Sequence, residues 1–192
     1  METQKDVLTK LGSETMTLMK KFASFLAEKR FSGKIISWPG CDAAVVAAFN
    51  KETFFTKMVG TDAGVDRVRE FRSRYPQDKG SFELQRNEAL TYPDNYVDAF
   101  FVAEFVSGQS MPKVMSEIYR TLKPGGYAYV VFYKAKVNPG VNPNIAAGGI
   151  CNAIGSLNIR SWVRSVRHCG RGTYVTKEII LQKPGEIAAD KN

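Results

Sequence analysis

Short apolar runs alternate with amphipathic segments along most of the chain. Runs that are apolar throughout, or that alternate apolar with polar residues, predict strands. They are Ile35–Trp38, Lys57–Asp62, Phe82–Gln85, Val97–Val106, Tyr127–Tyr133, Ile159–Val166 and Tyr174–Leu181. Apolar residues at three-and-four spacing predict helices over about residues 1–30, 42–49, 65–75, 111–122 and 145–156.

This alternation predicts a three-layer, Rossmann-like α/β fold, because parallel strands joined by right-handed helical crossovers place helices on both faces of one sheet. The sheet is expected to be mostly parallel, with seven strands and a C-terminal antiparallel hairpin around Gly170–Gly172. Residues 1–30 are interpreted as a helical segment packed on the domain, which Gly12 and Ser13 could divide into two helices. Residues 31–184 form the α/β domain, and residues 185–192 a tail or the start of a linker.

Charge and cysteine usage narrow the classes of partner. The 27 lysines and arginines exceed the 19 acidic residues, for a net charge of +8, which favours an acidic partner or RNA. No apolar run is long enough to span a bilayer, so no membrane partner is expected. The three cysteines lack zinc-site spacing and predict no metal. We expect a monomer in the cytoplasm, with a mitochondrial location left open.

The candidate binding residues follow the predicted strands. In parallel sheets ligands bind beyond the carboxyl ends of the strands, where the strand order reverses. That rule brings four segments around one crevice, and they are Pro39–Ala43, Asp62, Arg86–Glu88 and Ala103–Gly108.

Two stretches carry a resemblance to a known family. Tyr92–Phe100 is a turn that leads into an apolar strand, and Leu122–Gly126 is a Leu-Lys-Pro-Gly-Gly turn between an amphipathic helix and the next strand. In order and spacing these residues resemble the class I S-adenosylmethionine-dependent methyltransferases over roughly residues 30–183. The resemblance implies that family's fold and S-adenosylmethionine as cofactor.

The resemblance also implies four cofactor-binding residues, Gly40, Asp42, Asp62 and Asn87. Asp62 lies where the family's acidic residue holds both ribose hydroxyls, although an Asp at a strand–helix turn also caps helices. The side-chain oxygen of Asn87 could accept a hydrogen bond from the adenine amino group. Gly40 is the sole glycine of a loop that is glycine-rich in the family, and Asp42 could replace the acid missing from the first strand. No catalytic residue is assigned, because the reactive sulfonium belongs to the cofactor.

Three functions fit these residues. The first is a methyltransferase-like protein whose degenerate loop weakens or abolishes catalysis. The second is a non-catalytic interaction module, such as the methyltransferase-like N-terminal domain of anamorsin, a cytosolic iron–sulfur assembly factor. Met115–Gly126 and Ile150–Ile154 are similar to parts of that domain. The third is a basic accessory subunit of an RNA-containing or other large assembly.

Overall fold

The computed structural model describes residues 4–31, 33, 35–39, 41, 43–50, 57–103, 111–134, 167–171 and 174–185. The chain divides into two compact units, Met1–Arg86 and Asn87–Asn192, which we call the first and the second unit. None of the helices within these described ranges combines the length and the apolar character that a membrane span requires.

The described residues of the first unit form three α-helices, a short 3-10 helix and three parallel strands. Their bounds are α1 Gln4–Glu28, β1 Ile35–Pro39, α2 Ala43–Phe49, β2 Lys57–Asp62, α3 Val65–Arg74, the 3-10 helix Pro76–Ser81 and β3 Phe82–Leu84. The strand order is β3-β2-β1. Both pairs are parallel, with Trp38 opposite Gly60 and Gly60 opposite Phe82.

Helix α1 is continuous through Gly12, so the predicted division at Gly12 and Ser13 is wrong. Its C-terminal half buries Met19, Phe22 and Leu26, each 2% exposed or less. A glycine inside a helix costs only about 1 kcal/mol. Burial of this apolar face outweighs that cost, because each large side chain contributes about 1.5–3 kcal/mol.

Asn50 joins the end of α2 to the beginning of β2. Its Oδ1 accepts a hydrogen bond from the Met58 N–H at 2.8 Å, and its Nδ2 donates to the Met58 carbonyl at 3.2 Å. The same Nδ2 also donates to Ser81 Oγ at 3.0 Å. One amide side chain therefore fixes both ends of the connection that runs from residue 51 to residue 56.

The second unit consists of one described helix and four strands. Their bounds are β4 Val97–Ala103, α4 Met111–Thr121, β5 Leu122–Lys134, β6 Arg167–Arg171 and β7 Tyr174–Gln182. The strand order is β4-β5-β7-β6. The first pair is parallel and the other two are antiparallel.

Strand β5 begins directly after α4, earlier than the predicted start at Tyr127. Leu122 lies opposite Val97 and Tyr127 opposite Ala99, so four residues bulge out where β4 has one. Gly125 in this bulge has a φ of 78°, which glycine adopts without strain. A Cβ on Gly126 would lie 2.7 Å from the Asp98 carbonyl oxygen. The Pro-Gly-Gly sequence is thus a turn inside the strand ladder.

Arg120 fastens the segment before β4 to helix α4. Its guanidinium donates to the carbonyls of Leu90 and Tyr92 at 2.8 and 2.9 Å, and pairs with Asp94 at 2.7 Å and Glu117 at 2.8 Å. Glu117 also accepts the Leu90 N–H at 2.8 Å. The hydrogen bond from Arg120 holds the pKa of Glu117 below its ordinary value and outweighs the opposing effect of burial.

Lys183, just after β7, is bonded to the same region. Its ammonium donates to Asn95 Oδ1 at 2.7 Å and to the Tyr119 carbonyl at 2.8 Å, and lies 4.6 Å from the centroid of the Tyr119 ring. Burial lowers the pKa of Lys183, because the charged form is the one that loses hydration. The chain after β7 is therefore held by α4.

The described strand pairs confirm the predicted mostly parallel sheet with a C-terminal antiparallel hairpin. The first arm of the hairpin is Arg167–Arg171, so the predicted turn at Gly170 and Arg171 is wrong, because both residues pair with β7. The predicted strand Ile159–Val166 and helix 145–156 lie outside the described residues. The proposed domain bounds at residues 30 and 184 stay a prediction.

Candidate functional site

Asp62 ends strand β2 with its carboxylate at the carboxyl edge of the sheet. Its side chain is 10% exposed. Oδ1 accepts the Gly64 N–H at 2.8 Å, and Oδ2 lies 3.2 Å from Arg67 Nη1. This bond closes a turn before helix α3 but does not cap the helix, because Gly64 is itself the N-cap residue and no side chain bonds the first turn, so the capping interpretation of Asp62 is wrong. The ribose-binding interpretation stays a prediction.

The partner of Oδ2 is easily exchanged. The Arg67 side chain is 61% exposed and also lies over the Phe71 ring, 5.6 Å from its centroid. An ion pair with so exposed an arginine contributes at most about 1 kcal/mol. A ligand hydroxyl that approaches Oδ2 therefore competes with a weak contact.

The loop after β1 lies against the end of β2. The Cys41 N–H donates to the Thr61 carbonyl at 3.2 Å, and the Cys41 side chain is buried. A Cβ on Gly60 would lie 2.5 Å from Cys41 Sγ and 3.0 Å from Val46 Cγ2. Residue 60 of β2 is therefore a glycine at the point where the Cys41 thiol packs against the strand. A glycine inside an apolar strand signals such a close approach, and this signal is present in the sequence.

Two buried hydroxyls lie on one face of these strands. Ser37 Oγ and Thr61 Oγ1 are both fully buried, and neither has a hydrogen-bond partner among the described residues. They share a face because Ser37 is opposite Val59 and Pro39 is opposite Thr61. An unmade hydrogen bond of this kind costs about 1–3 kcal/mol. No role was assigned to either hydroxyl from the sequence.

The described structure does not test the remaining predicted residues. Gly40 and Asp42 lie outside the described residues. Asn87 is the first residue of the second unit, in a turn between Arg86 and Ala89, and it is half-buried. The first unit alone therefore brings together Asp62, the backbone of Cys41 and the Ser37–Thr61 face. The predicted roles of Gly40, Asp42 and Asn87 stay predictions.

Comparisons with known proteins agree with this arrangement of strands and loops. Residues 39–130 match the family described as a methyltransferase domain. The chain is 29% identical over 128 residues to the ubiquinone/menaquinone biosynthesis C-methyltransferase UbiE of Hydrogenovibrio crunogenus. That match covers 64% of this chain and 50% of the relative, so the chain spans about half the length of the curated relative it matches.

Solved structures resemble the chain in fold. Protein PH0226 of Pyrococcus horikoshii has a TM-score of 0.65 at 14% identity, and the match covers 94% of this chain and 92% of that one. Geranyl diphosphate C-methyltransferase of Streptomyces coelicolor, solved with S-adenosyl-L-homocysteine, has a TM-score of 0.61 at 12% identity, covering 85% and 76%. The cyclase SpnF has a TM-score of 0.61 at 15% identity, covering 86% and 80%.

The site and the comparisons define a class of protein, an α/β domain with the methyltransferase fold. The predicted resemblance to the class I S-adenosylmethionine-dependent methyltransferase superfamily is thereby confirmed.

Proposed function

We propose that this protein is a methyltransferase-like protein that binds S-adenosylmethionine weakly through Asp62 and has weak or lost catalysis. The observation that carries the proposal is the position of Asp62. It is a buried carboxylate at the carboxyl end of a parallel strand, beside the loop that follows the neighbouring strand. A carboxylate with two acceptor oxygens suits the two hydroxyls of a ribose.

Weak binding is inferred from the last residue of β1 and the loop that follows it. Pro39 has no N–H to donate, and Cys41 carries a side chain that takes up the space over Gly60. Glycines in such a loop let the backbone approach a ligand, and a Cβ hinders that approach. The sequence provides one glycine there, Gly40. We therefore propose that Asp62 can still bind the sugar, whereas the loop after β1 hinders binding of the cofactor's amino-acid portion.

The alternative is a non-catalytic interaction module, of which the N-terminal domain of anamorsin is an example. Its support is that both Asp62 oxygens already have partners within the first unit, Gly64 and Arg67. The cyclase SpnF also shows that a protein with this fold is named for another reaction. A cytoplasmic location stays a prediction under either proposal.

Isothermal titration calorimetry with S-adenosyl-L-homocysteine separates the two. We expect saturable binding with a Kd between about 0.1 and 1 mM. Asp62→Ala should weaken it at least ten-fold, because the sugar loses both acceptors. Asp66→Ala is the matched control, since that carboxylate lies in the first turn of α3, is 93% exposed and pairs with the exposed Arg69. It should leave the Kd unchanged.

Other outcomes would count against the proposal. Absence of heat at millimolar ligand would favour the interaction module. Micromolar or tighter binding with methyl transfer to an acceptor would show an unimpaired enzyme. Equal losses in Asp62→Ala and Asp66→Ala would remove Asp62 from the site.

A further inference from the structure

A surface groove runs along the first unit between α3, the 3-10 helix and β3. Its volume is about 660 Å³, which exceeds the space of a single side chain. Val65, Val68 and Leu84 form its apolar floor, Arg69 and Arg72 line it with positive charge, and Ser73 and Pro76 complete the lining. We call this feature the edge groove, because β3 is the last strand of the order β3-β2-β1.

The floor of the edge groove exposes apolar surface that the fold does not use. Among the described residues, three large apolar side chains are exposed, and two of them, Val65 and Leu84, lie in this groove. They are 51% and 48% exposed. Single exposed apolar residues are common, but two that share a concave surface with charged neighbours are typical of a binding site.

The positive charge of the groove is available to a ligand. Arg72 Nε donates to the Phe82 carbonyl at 2.9 Å, which fixes the guanidinium at the groove, and no described carboxylate pairs with it. Arg69 pairs with Asp66 at 2.9 Å, with side chains 75% and 93% exposed. A pair so exposed contributes well under about 1 kcal/mol and exchanges readily. Two guanidinium groups can therefore receive carboxylates.

The backbone of β3 adds a third element. The Gln85 N–H donates to the Asp62 carbonyl, so Glu83 and Gln85 direct their backbone groups toward β2. Because this direction alternates along a strand, Phe82 and Leu84 direct theirs toward the groove. The bond from Arg72 to the Phe82 carbonyl agrees with this geometry. Sheet edges with such groups are sites where extended peptides add.

We propose that the edge groove binds an extended segment of a partner protein in which acidic residues alternate with large apolar ones. The apolar side chains pack on Val65, Val68 and Leu84, and the carboxylates pair with Arg69 and Arg72. This partner matches the groove better than RNA does, because phosphates gain nothing from the apolar floor. The proposal is independent of cofactor binding.

The test uses the ¹⁵N-labelled full chain and an eight-residue peptide of alternating leucine and glutamate with blocked ends. We expect saturable chemical-shift changes at Val65, Val68 and Leu84, with a Kd below about 1 mM. Leu84→Ser and Arg72→Gln should each weaken binding at least five-fold. Arg74→Gln is the matched control, because Arg74 is on α3, pairs with Glu70 at 2.7 Å and does not line the groove.

Four results would overturn the proposal. They are absence of saturable shifts, equal binding of a peptide with serine for leucine, displacement by S-adenosyl-L-homocysteine, and tighter binding of an eight-nucleotide uridine strand at the same residues. Equal binding of the serine peptide would mean that charge alone explains the binding. Displacement by S-adenosyl-L-homocysteine would mean that the groove is part of a nucleoside site. Both test variants change exposed side chains, and dispersed amide spectra would show that they fold.

Discussion

The end of β2 in the first unit and the region around Arg120 in the second unit satisfy their polar groups differently. The guanidinium of Arg120 donates hydrogen bonds to Glu117 and to the carbonyls of Leu90 and Tyr92, so these polar groups are satisfied within the chain. At the end of β2, Ser37 and Thr61 have buried hydroxyls without a described partner. The family resemblance in sequence is strongest around Arg120 and weakest around the end of β2. It follows the residues that hold the fold together rather than those that would hold a ligand.

The largest effect should come from the bulge of β5. In Gly126→Ala the new Cβ would lie 2.7 Å from the Asp98 carbonyl and 2.9 Å from the Lys123 carbonyl, neither of which can move freely. We expect a loss of about 3 kcal/mol of unfolding free energy, measured by urea denaturation. Gly185→Ala, with no atom within 4 Å of its Cβ, should change little. Similar values for the two variants would show that the bulge is not tightly packed.

A smaller loss is expected at the end of β2, because the obstacle there is a side chain. Gly60→Ala would place its Cβ 2.5 Å from Cys41 Sγ, and we expect a loss of about 2 kcal/mol. Adding Cys41→Ala should restore part of the lost unfolding free energy, and the double-mutant cycle should give a coupling energy of about 1 kcal/mol. Gly80→Ala is the control in open space. Strict additivity of the two changes would contradict the contact between Cys41 and Gly60.

A pH effect should appear in the second unit. The folded pKa of Glu117 is lowered, so its contribution is present above the ordinary carboxyl value of 4.5 and is lost as the pH falls through the folded pKa. As the pH falls from about 5 to about 3, the unfolding free energy of the wild type should decrease by about 1 kcal/mol more than that of Glu117→Gln, because the charge-assisted hydrogen bonds are lost. Unfolding curves at several pH values measure this. Parallel profiles for the two proteins would contradict a bonded Glu117.

The smallest effect concerns Arg67. Arg67→Gln removes a highly exposed partner of Asp62, so the unfolding free energy should change by less than about 0.5 kcal/mol. If Asp62 binds the sugar as proposed, the affinity for S-adenosyl-L-homocysteine should rise about two-fold, because one competitor of Oδ2 is gone. Calorimetry with matched protein batches resolves this difference. Weaker binding would mean that Arg67 itself contacts the ligand.

Sequence patterns predicted most elements of the fold, since burial imposes its own periodicity. Lys57–Asp62 was predicted with its observed bounds. The first arm of the hairpin was misplaced, because the sequence of Arg167–Arg171 has no apolar alternation that would predict a strand. The early start of β5 was missed because Pro124 and Gly125 are typical of turns, and only the register with β4 shows that the ladder continues around them.

The candidate site was predicted less completely. Asp62 was found because strand ends can be read from the sequence. The contact of Cys41 with Gly60, the bond from the Gly64 N–H to Asp62 and the ion pair with Arg67 all depend on how neighbouring segments face each other. A single sequence gives the order of such segments but not their register, and register decides which side chains meet.

The amide of Asn50 has a practical consequence for protein engineering. Its bonds to Met58 hold the end of α2 and the start of β2 together whatever the length of the connection between them. The closure entropy of a chain segment grows slowly with its length, by only about 0.6 kcal/mol per doubling. A peptide tag or fluorophore-acceptor sequence inserted between residues 53 and 54 should therefore leave α2 and β2 in place.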